Sequence, residues 1–274
     1  MTRPRWCAQV LETLGALPPG LLLWDADFTL WADDVGIRAW GHSLQHEALR
    51  SEAAPPLAAL LERYGSKPGR DAAASARRLV ELYEAGGCDG EALIRGMVSC
   101  YAGYTPDELH DLGRLIARRD LAPSLTTGLS DLLDELGAAG HRNVVISASA
   151  ELLVEGAISE LGLRFERVSG VRASTHAGRL SGALEEPVCY RAGKLDRFAQ
   201  LGLEGPIYAA FSDSDSDIPL LEQATLLRAG LRANRRLRAQ ILRRGDPWRL
   251  FEHVLPQRPA RPLALLPQGF GRTP

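Results

Sequence analysis

Asp25 and Asp27 stand two residues apart where a short apolar run ends, in the stretch Gly20 to Asp34, GLLLWDADFTLWADD, with Thr29 just beyond them. A carboxylate is not set against an apolar core without a partner, and this stretch sets two there. A bound divalent cation supplies the partner: magnesium takes hard oxygen ligands, commonly one or two carboxylates together with phosphate and water. On these residues alone, an Asx turn or a helix cap at a strand exit accounts for D-x-D-x-T equally well. Three later stretches also carry reactive groups: VVISAS with Ser147, GKL with Lys194, and FSDSDSD with Asp213, Asp215 and Asp217. Taken singly, Lys194 reads as an exposed helix lysine, Ser147 as a strand-to-helix cap and Asp215 as a solvated acid.

The elements that must position these groups follow from periodicity. Leu21 to Trp24, Val144 to Ile146 and Ile207 to Phe211 are short apolar runs of the kind that form buried parallel strands, and each ends in one of the polar groups above. Helical patterns precede or follow them at about 5–15, 130–139, 151–161, 191–201, 218–223 and 234–244, with a further strand at 225–229. Residues 165–183 read as strands with a hairpin turning at His176-Ala-Gly178. Alternating strands and helices imply an α/β fold, a doubly wound, Rossmann-like parallel sheet, whose ligands lie beyond the strand ends. Between Val35 and Arg119 the pattern is helical throughout, over 35–50, 56–64, 71–85, 90–102 and 107–119. The expected organisation is therefore an N-terminal helix over 1–17, an α/β core over 18–32 and 121–254, an inserted all-helical cap domain over 33–120, and a Pro/Arg-rich tail over 255–274.

Composition sets the boundaries. The 274 residues are 45% hydrophobic and 24% charged, enough for one substantial core and a satellite. A formal net charge of -2 provides no basic field for nucleic acid. The four cysteines are scattered without a C-x-x-C pair, so they suggest free thiols and no zinc site. The N-terminus is too polar for a signal peptide, and no apolar run approaches the ~20 residues of a membrane span. A cytoplasmic protein with no membrane partner is expected.

The ordered set WDADFT, VVISAS, GKL and FSDSDSD resembles the haloacid dehalogenase superfamily of phosphohydrolases, and the resemblance spans nearly the whole chain. The helical insertion after the first motif, the segment HAGRLSG, and SDSDSDIPLLEQA followed by RANRRLRAQILRRGDPW are similar to the phosphoserine-phosphatase-like branch. The resemblance implies a magnesium-dependent phosphatase acting on a small-molecule phosphomonoester. Asp25 is the implied nucleophile, giving an aspartyl-phosphate; Asp27 is the implied general acid and then base. Mg2+ would be held by Asp25, the carbonyl of Asp27 and Asp213, with Asp217 reaching it from behind or through water. Ser147, Lys194 and Thr29 are the implied phosphate-binding residues.

Two positions depart from the family pattern: Phe28 stands where Gly, Asn or Ser is frequent, and Ser212 where Gly is usual. Asp34 matches the offset of the glutamate that meets the substrate amine in phosphoserine phosphatases, which points to an amine-bearing substrate such as phosphoserine, phosphoethanolamine or phosphocholine. Trp31 and Trp40 would add a cation–π face. The alternative for this segment is structural, with Asp33 or Asp34 capping the first cap helix and the tryptophans packing beneath it. No arginine is identified to hold a serine carboxylate. A phosphotransferase would use the same residues, a dehalogenase would not need Asp27, and a silent binding protein would have lost a motif. The arginines at 228, 232, 235, 236, 238, 243 and 244 read as a solvated helix face.

Overall fold

The computed structural model describes residues 3–258. Six strands form one parallel sheet: β1 (Leu21–Trp24), β2 (Arg142–Ala150), β3 (Arg167–Val171), and, after a hairpin, β6 (Ile207–Ser212), β7 (Leu227–Leu231) and β8 (Trp248–Phe251). Their order is β3-β2-β1-β6-β7-β8. The chain winds outward from β1 on one side through β2 and β3, then on the other through β6, β7 and β8. The winding reverses between β1 and β6, and a crevice opens at such a switch point. The hairpin strands β4 (Ala173–His176) and β5 (Arg179–Leu184) pair antiparallel and turn at Ala177-Gly178. The sheet is thus the expected doubly wound one; β8 is a strand that periodicity did not reveal.

The three central strands are pinned just beneath their ends. Trp24 pairs in register with Val145 on β2 and Phe211 on β6. Its indole stacks on the Phe211 ring at 3.8 Å, and its Nε1 donates to Asn143 Oδ1 at 3.0 Å. The one polar atom of this buried side chain is therefore satisfied, which stiffens the base on which Asp25 stands.

Helices Val35–Gln45, Ala54–Arg63, Ala72–Glu84, Gly90–Ser99 and Pro106–Ile116 follow β1. Thr105 and Glu108 form a reciprocal capping box at the last of these. The sheet and its covering helices share one buried apolar cluster; a second cluster, running from Trp40 to Ala102, lies wholly within the helical segment. Gly96 lets two of these helices touch, since a Cβ there would lie 1.9 Å from Leu79 Cδ2. Residues 255–258 are not loose: Gln257 and Arg258 donate main-chain hydrogen bonds to Leu125 and Pro123. The rest of the expected tail, from 259 on, lies outside the described residues. No helix among the described residues is long and apolar enough to cross a membrane.

Candidate active site

The ends of β1, β2 and β6 and the helix Gly193–Gln200 surround a cleft of about 860 Å³. Asp25 follows β1 directly, its N–H donating to Phe211 O at 2.9 Å, so β6 holds it in place. Its Oδ1 accepts from Lys194 Nζ at 2.6 Å, and the same ammonium donates to Asp217 Oδ2 at 2.7 Å. Lys194 is 2% exposed, a buried link between two carboxylates and not an exposed helix lysine. Burial opposes its charge, but Asp217 and Asp25 outweigh burial and raise its pKa. Gly193 is required before it, since a Cβ there would lie 2.0 Å from the carbonyl of Val188. Ser212 also donates to Asp217 Oδ2, at 2.7 Å, so the departure from glycine adds a buried hydrogen bond.

Asp27 is held on both oxygens. Oδ1 accepts from Trp31 Nε1 and from the N–H of Val35, each at 2.8 Å; Oδ2 accepts from Ser149 Oγ at 2.6 Å. The Val35 bond ties Asp27 to the first turn of the helix Val35–Gln45, where the macrodipole favours negative charge. Trp31 and Trp40 are fully buried. Neither offers a face to a substrate, which decides between the two alternatives in favour of packing: Trp31 spends its N–H on Asp27, and Trp40 belongs to the second apolar cluster.

Asp34 combines the two readings. Its side chain caps the helix by accepting from Ile37 N at 2.8 Å, and it also lines the cleft. Burial holds its pKa well above the usual carboxylate range, with Asp27, Asp33 and Asp25 adding to the rise. Asp25 is pushed up to about 7, by burial first, against the pull of Lys194. Asp213, whose carbonyl accepts from Asn234 N, is likewise held high by burial, then by the charges of Asp25 and Asp217. Asn234 also donates to Asp215 Oδ1 at 2.8 Å, steadying the acidic loop.

Ser147 and Thr29 are completely buried behind the cleft wall. Ser147 Oγ accepts from Ser149 N at 3.1 Å. The Thr29 hydroxyl donates to Asp25 Oδ2 at 3.4 Å and so bears on the orientation of Asp25. Arg232 is not part of a solvated face. Its guanidinium donates to the carbonyls of Phe28 and Thr29 and to Thr126 Oγ1 at 2.7–2.8 Å. It clamps the turn after β1, where Phe28 takes a left-handed φ of 56°. Ser149, within VVISAS, and Arg232, at the head of RANRRLRAQ, are the residues whose roles the motifs did not disclose.

Among the described residues, no set of three or more His, Cys, Asp or Glu side chains is arranged to hold a metal ion. The donor set expected for magnesium is smaller: two carboxylates, Asp25 and Asp213, and one main-chain carbonyl, that of Asp27. It is all hard oxygen. Both carboxylates are raised by burial and by neighbouring negative charge, the condition that a cation relieves, so the residues fit the ion.

A family model described as haloacid dehalogenase-like hydrolase matches residues 22–222. No curated protein sequence matches the chain. Among solved structures, a Bordetella pertussis protein of unknown function is 23% identical, with 86% of this chain and 99% of that one covered and a TM-score of 0.66. A HAD family hydrolase from Salmonella enterica serovar Typhi is 16% identical, with 87% and 75% covered and a TM-score of 0.55. A probable phosphoserine phosphatase from Vibrio cholerae is 17% identical, with 85% and 64% covered and a TM-score of 0.54. At these identities the structures attest the fold.

Proposed function

The chain belongs to the haloacid dehalogenase-like hydrolases, and from that premise we propose that it is a magnesium-dependent phosphatase that cleaves a small-molecule phosphomonoester through an aspartyl-phosphate on Asp25. The observation that carries the reading is the buried Lys194 ammonium, 2.6 Å from Asp25 and 2.7 Å from Asp217, at the mouths of the central strands. A lysine in this position fixes the nucleophile and offsets charge on a transferring phosphoryl group.

In the first step Asp25 attacks phosphorus, the ester P–O bond breaks, and Asp27 gives a proton to the departing oxygen. Oδ2 of Asp27 carries that proton, because Oδ1 already accepts two N–H bonds. In the second step Asp27 takes a proton from water as the water attacks phosphorus, which releases phosphate and restores Asp25. Magnesium, when bound by Asp25, the Asp27 carbonyl and Asp213, lessens the repulsion between carboxylate and phosphate. Of the three donors on the Lys194 ammonium, two go to Asp25 and Asp217 and the third is left for the phosphoryl group, while Ser147, buried behind the cleft wall, holds the N–H of Ser149 in place. Asp34, surrounded by carboxylates, favours a leaving group that brings a cation or a donor, such as the ammonium of an amino-alcohol phosphate.

The test is phosphate release from p-nitrophenyl phosphate and from a panel of phosphorylated amino acids, amino alcohols, sugars and nucleotides. Turnover that needs magnesium and vanishes in Asp25→Asn is expected, with amine-bearing esters preferred. Magnesium-independent turnover, or turnover surviving in Asp25→Asn, overturns the mechanism; indifference to the amine removes the role of Asp34.

A further inference from the structure

The helix Gly90–Ser99 presents Leu93, Ile94, Met97 and Val98, followed by Tyr101, to the cleft. This is the i, i+3, i+4 spacing of one helical face. The opposite side of the helix is fixed, since the close approach at Gly96 seats it on the helix Ala72–Glu84. Ile94 and Met97 nevertheless remain partly accessible. Asp34 is the one charged residue that the segment 33–120 contributes to the cleft lining among the described residues. The cationic lining residues, Arg191, Lys194, Arg232, Arg235 and Arg236, all come from the core and none from this helix. Arg232 spends its donors on main-chain carbonyls and Thr126, and two of the three donors of Lys194 go to Asp25 and Asp217.

The apolar wall begins where the leaving group would emerge. A Cβ at Gly36 would meet Ser149 Oγ at 3.0 Å, Met97 Cε at 3.1 Å and Asp34 Oδ1 at 3.3 Å, so three unlike groups surround one point. Ser149 is the hydroxyl that holds Asp27 Oδ2. An ester oxygen protonated by Asp27 therefore projects its substituent onto Met97 and along the Ile94 face, with Asp34 beside it. Accessible apolar side chains in a cleft favour a ligand that removes them from water.

We propose that the leaving group is an apolar aliphatic or aromatic body of several carbons, lying along the Ile94 and Met97 face. The inference rests on the phosphatase reading, from which it takes the position of the leaving oxygen. Non-cleavable alkylphosphonates from methyl to hexyl, titrated calorimetrically into the full chain with magnesium, test it without turnover. Affinity should rise about two- to fourfold per methylene, and a carboxylate at the chain end should cancel the gain. Met97→Gln and Ile94→Asn, checked for folding by circular dichroism, should each weaken hexylphosphonate by about tenfold and leave methylphosphonate within about twofold. If either variant fails to fold, the wild-type series decides alone. An affinity independent of chain length, no binding at any length, or a gain from the terminal carboxylate overturns the proposal. Hydrolysis of p-nitrophenyl phosphate, measured on the same preparation, reports separately on the phosphatase reading.

Discussion

At the scale of single residues, Asp27 is the group whose environment says most about its use. Three donors hold it, yet burial still raises its pKa above the ordinary carboxylate range. The bond from Ser149 is the strongest of the influences opposing that rise. Removing it in Ser149→Ala leaves Asp27 less well aimed and harder to ionise. A hydrogen bond to a charged group contributes about 1.5–3 kcal/mol, so kcat should fall by about ten- to a hundredfold where proton delivery limits the rate. Alkyl esters, whose alkoxide is a poor leaving group, should show that loss; p-nitrophenyl phosphate, whose phenolate leaves unaided, should lose far less. Comparing the two substrates in one variant measures the difference. An equal loss on both would mean that Ser149 supports the fold and not the proton transfer.

At the scale of elements, the site depends on the turn after β1 and on what restrains it. Phe28 holds a left-handed backbone that costs a non-glycine residue about 1–2 kcal/mol, and Arg232, just past β7, caps the carbonyls of Phe28 and Thr29. Arg232 is largely removed from water, which pulls its pKa down to about 10, yet its fork remains filled with acceptors. Lysine cannot reproduce a planar fork. Arg232→Lys should therefore cost about 2–4 kcal/mol through buried carbonyls left unpaired, read as a lower denaturation midpoint with an unchanged slope. Unaltered stability would show that the clamp is incidental. The central strands and three of the motifs were legible in the sequence because each is a local pattern, an apolar run closed by acid or hydroxyl, and Lys194 was legible only by its place in their order. Arg232 and Ser149 were not, because their partners lie 204 and 122 residues away. The two readings of Trp31 stayed open in the sequence for a related reason: composition shows an aromatic ring near the site but not that its N–H turns inward to Asp27. The strand β8 has four residues, Trp248–Phe251, with no alternation that a short edge strand would need to be recognised.

At the scale of the whole molecule, the fold gathers more negative charge around the cleft than its buried cations, Lys194 on Asp25 and Arg38 on Asp33, offset. Asp25, Asp27, Asp33, Asp34 and Asp213 all have raised pKa values, with burial the first cause in each. A carboxyl whose pKa is higher folded than unfolded binds more protons in the folded state between those two values, so stability falls as pH rises through that interval. For Asp25 the interval runs from 3.8 to about 7. His42 acts in the opposite sense: burial lowers its pKa from 6.5, so the folded state resists protonation and loses some stability as pH falls. Five acids with raised pKa values against one imidazole with a lowered one decide the direction. The metal-free chain should melt at a higher temperature at pH 5.5 than at pH 7.5, the reverse of a protein whose acids are paired in ordinary salt bridges. Magnesium should reverse the order, since it binds the ionised carboxylates of the folded state alone. At a hundredfold excess over its dissociation constant it adds about 2.7 kcal/mol, and that gain should shrink at pH 5.5, where protons compete for the same oxygens. Melting curves at the two pH values, in chelator and in magnesium, give all four quantities. A metal-free chain that is more stable at pH 7.5, or a magnesium shift equal at both, would mean that these carboxylates are compensated from within and that the cleft has no need of a cation.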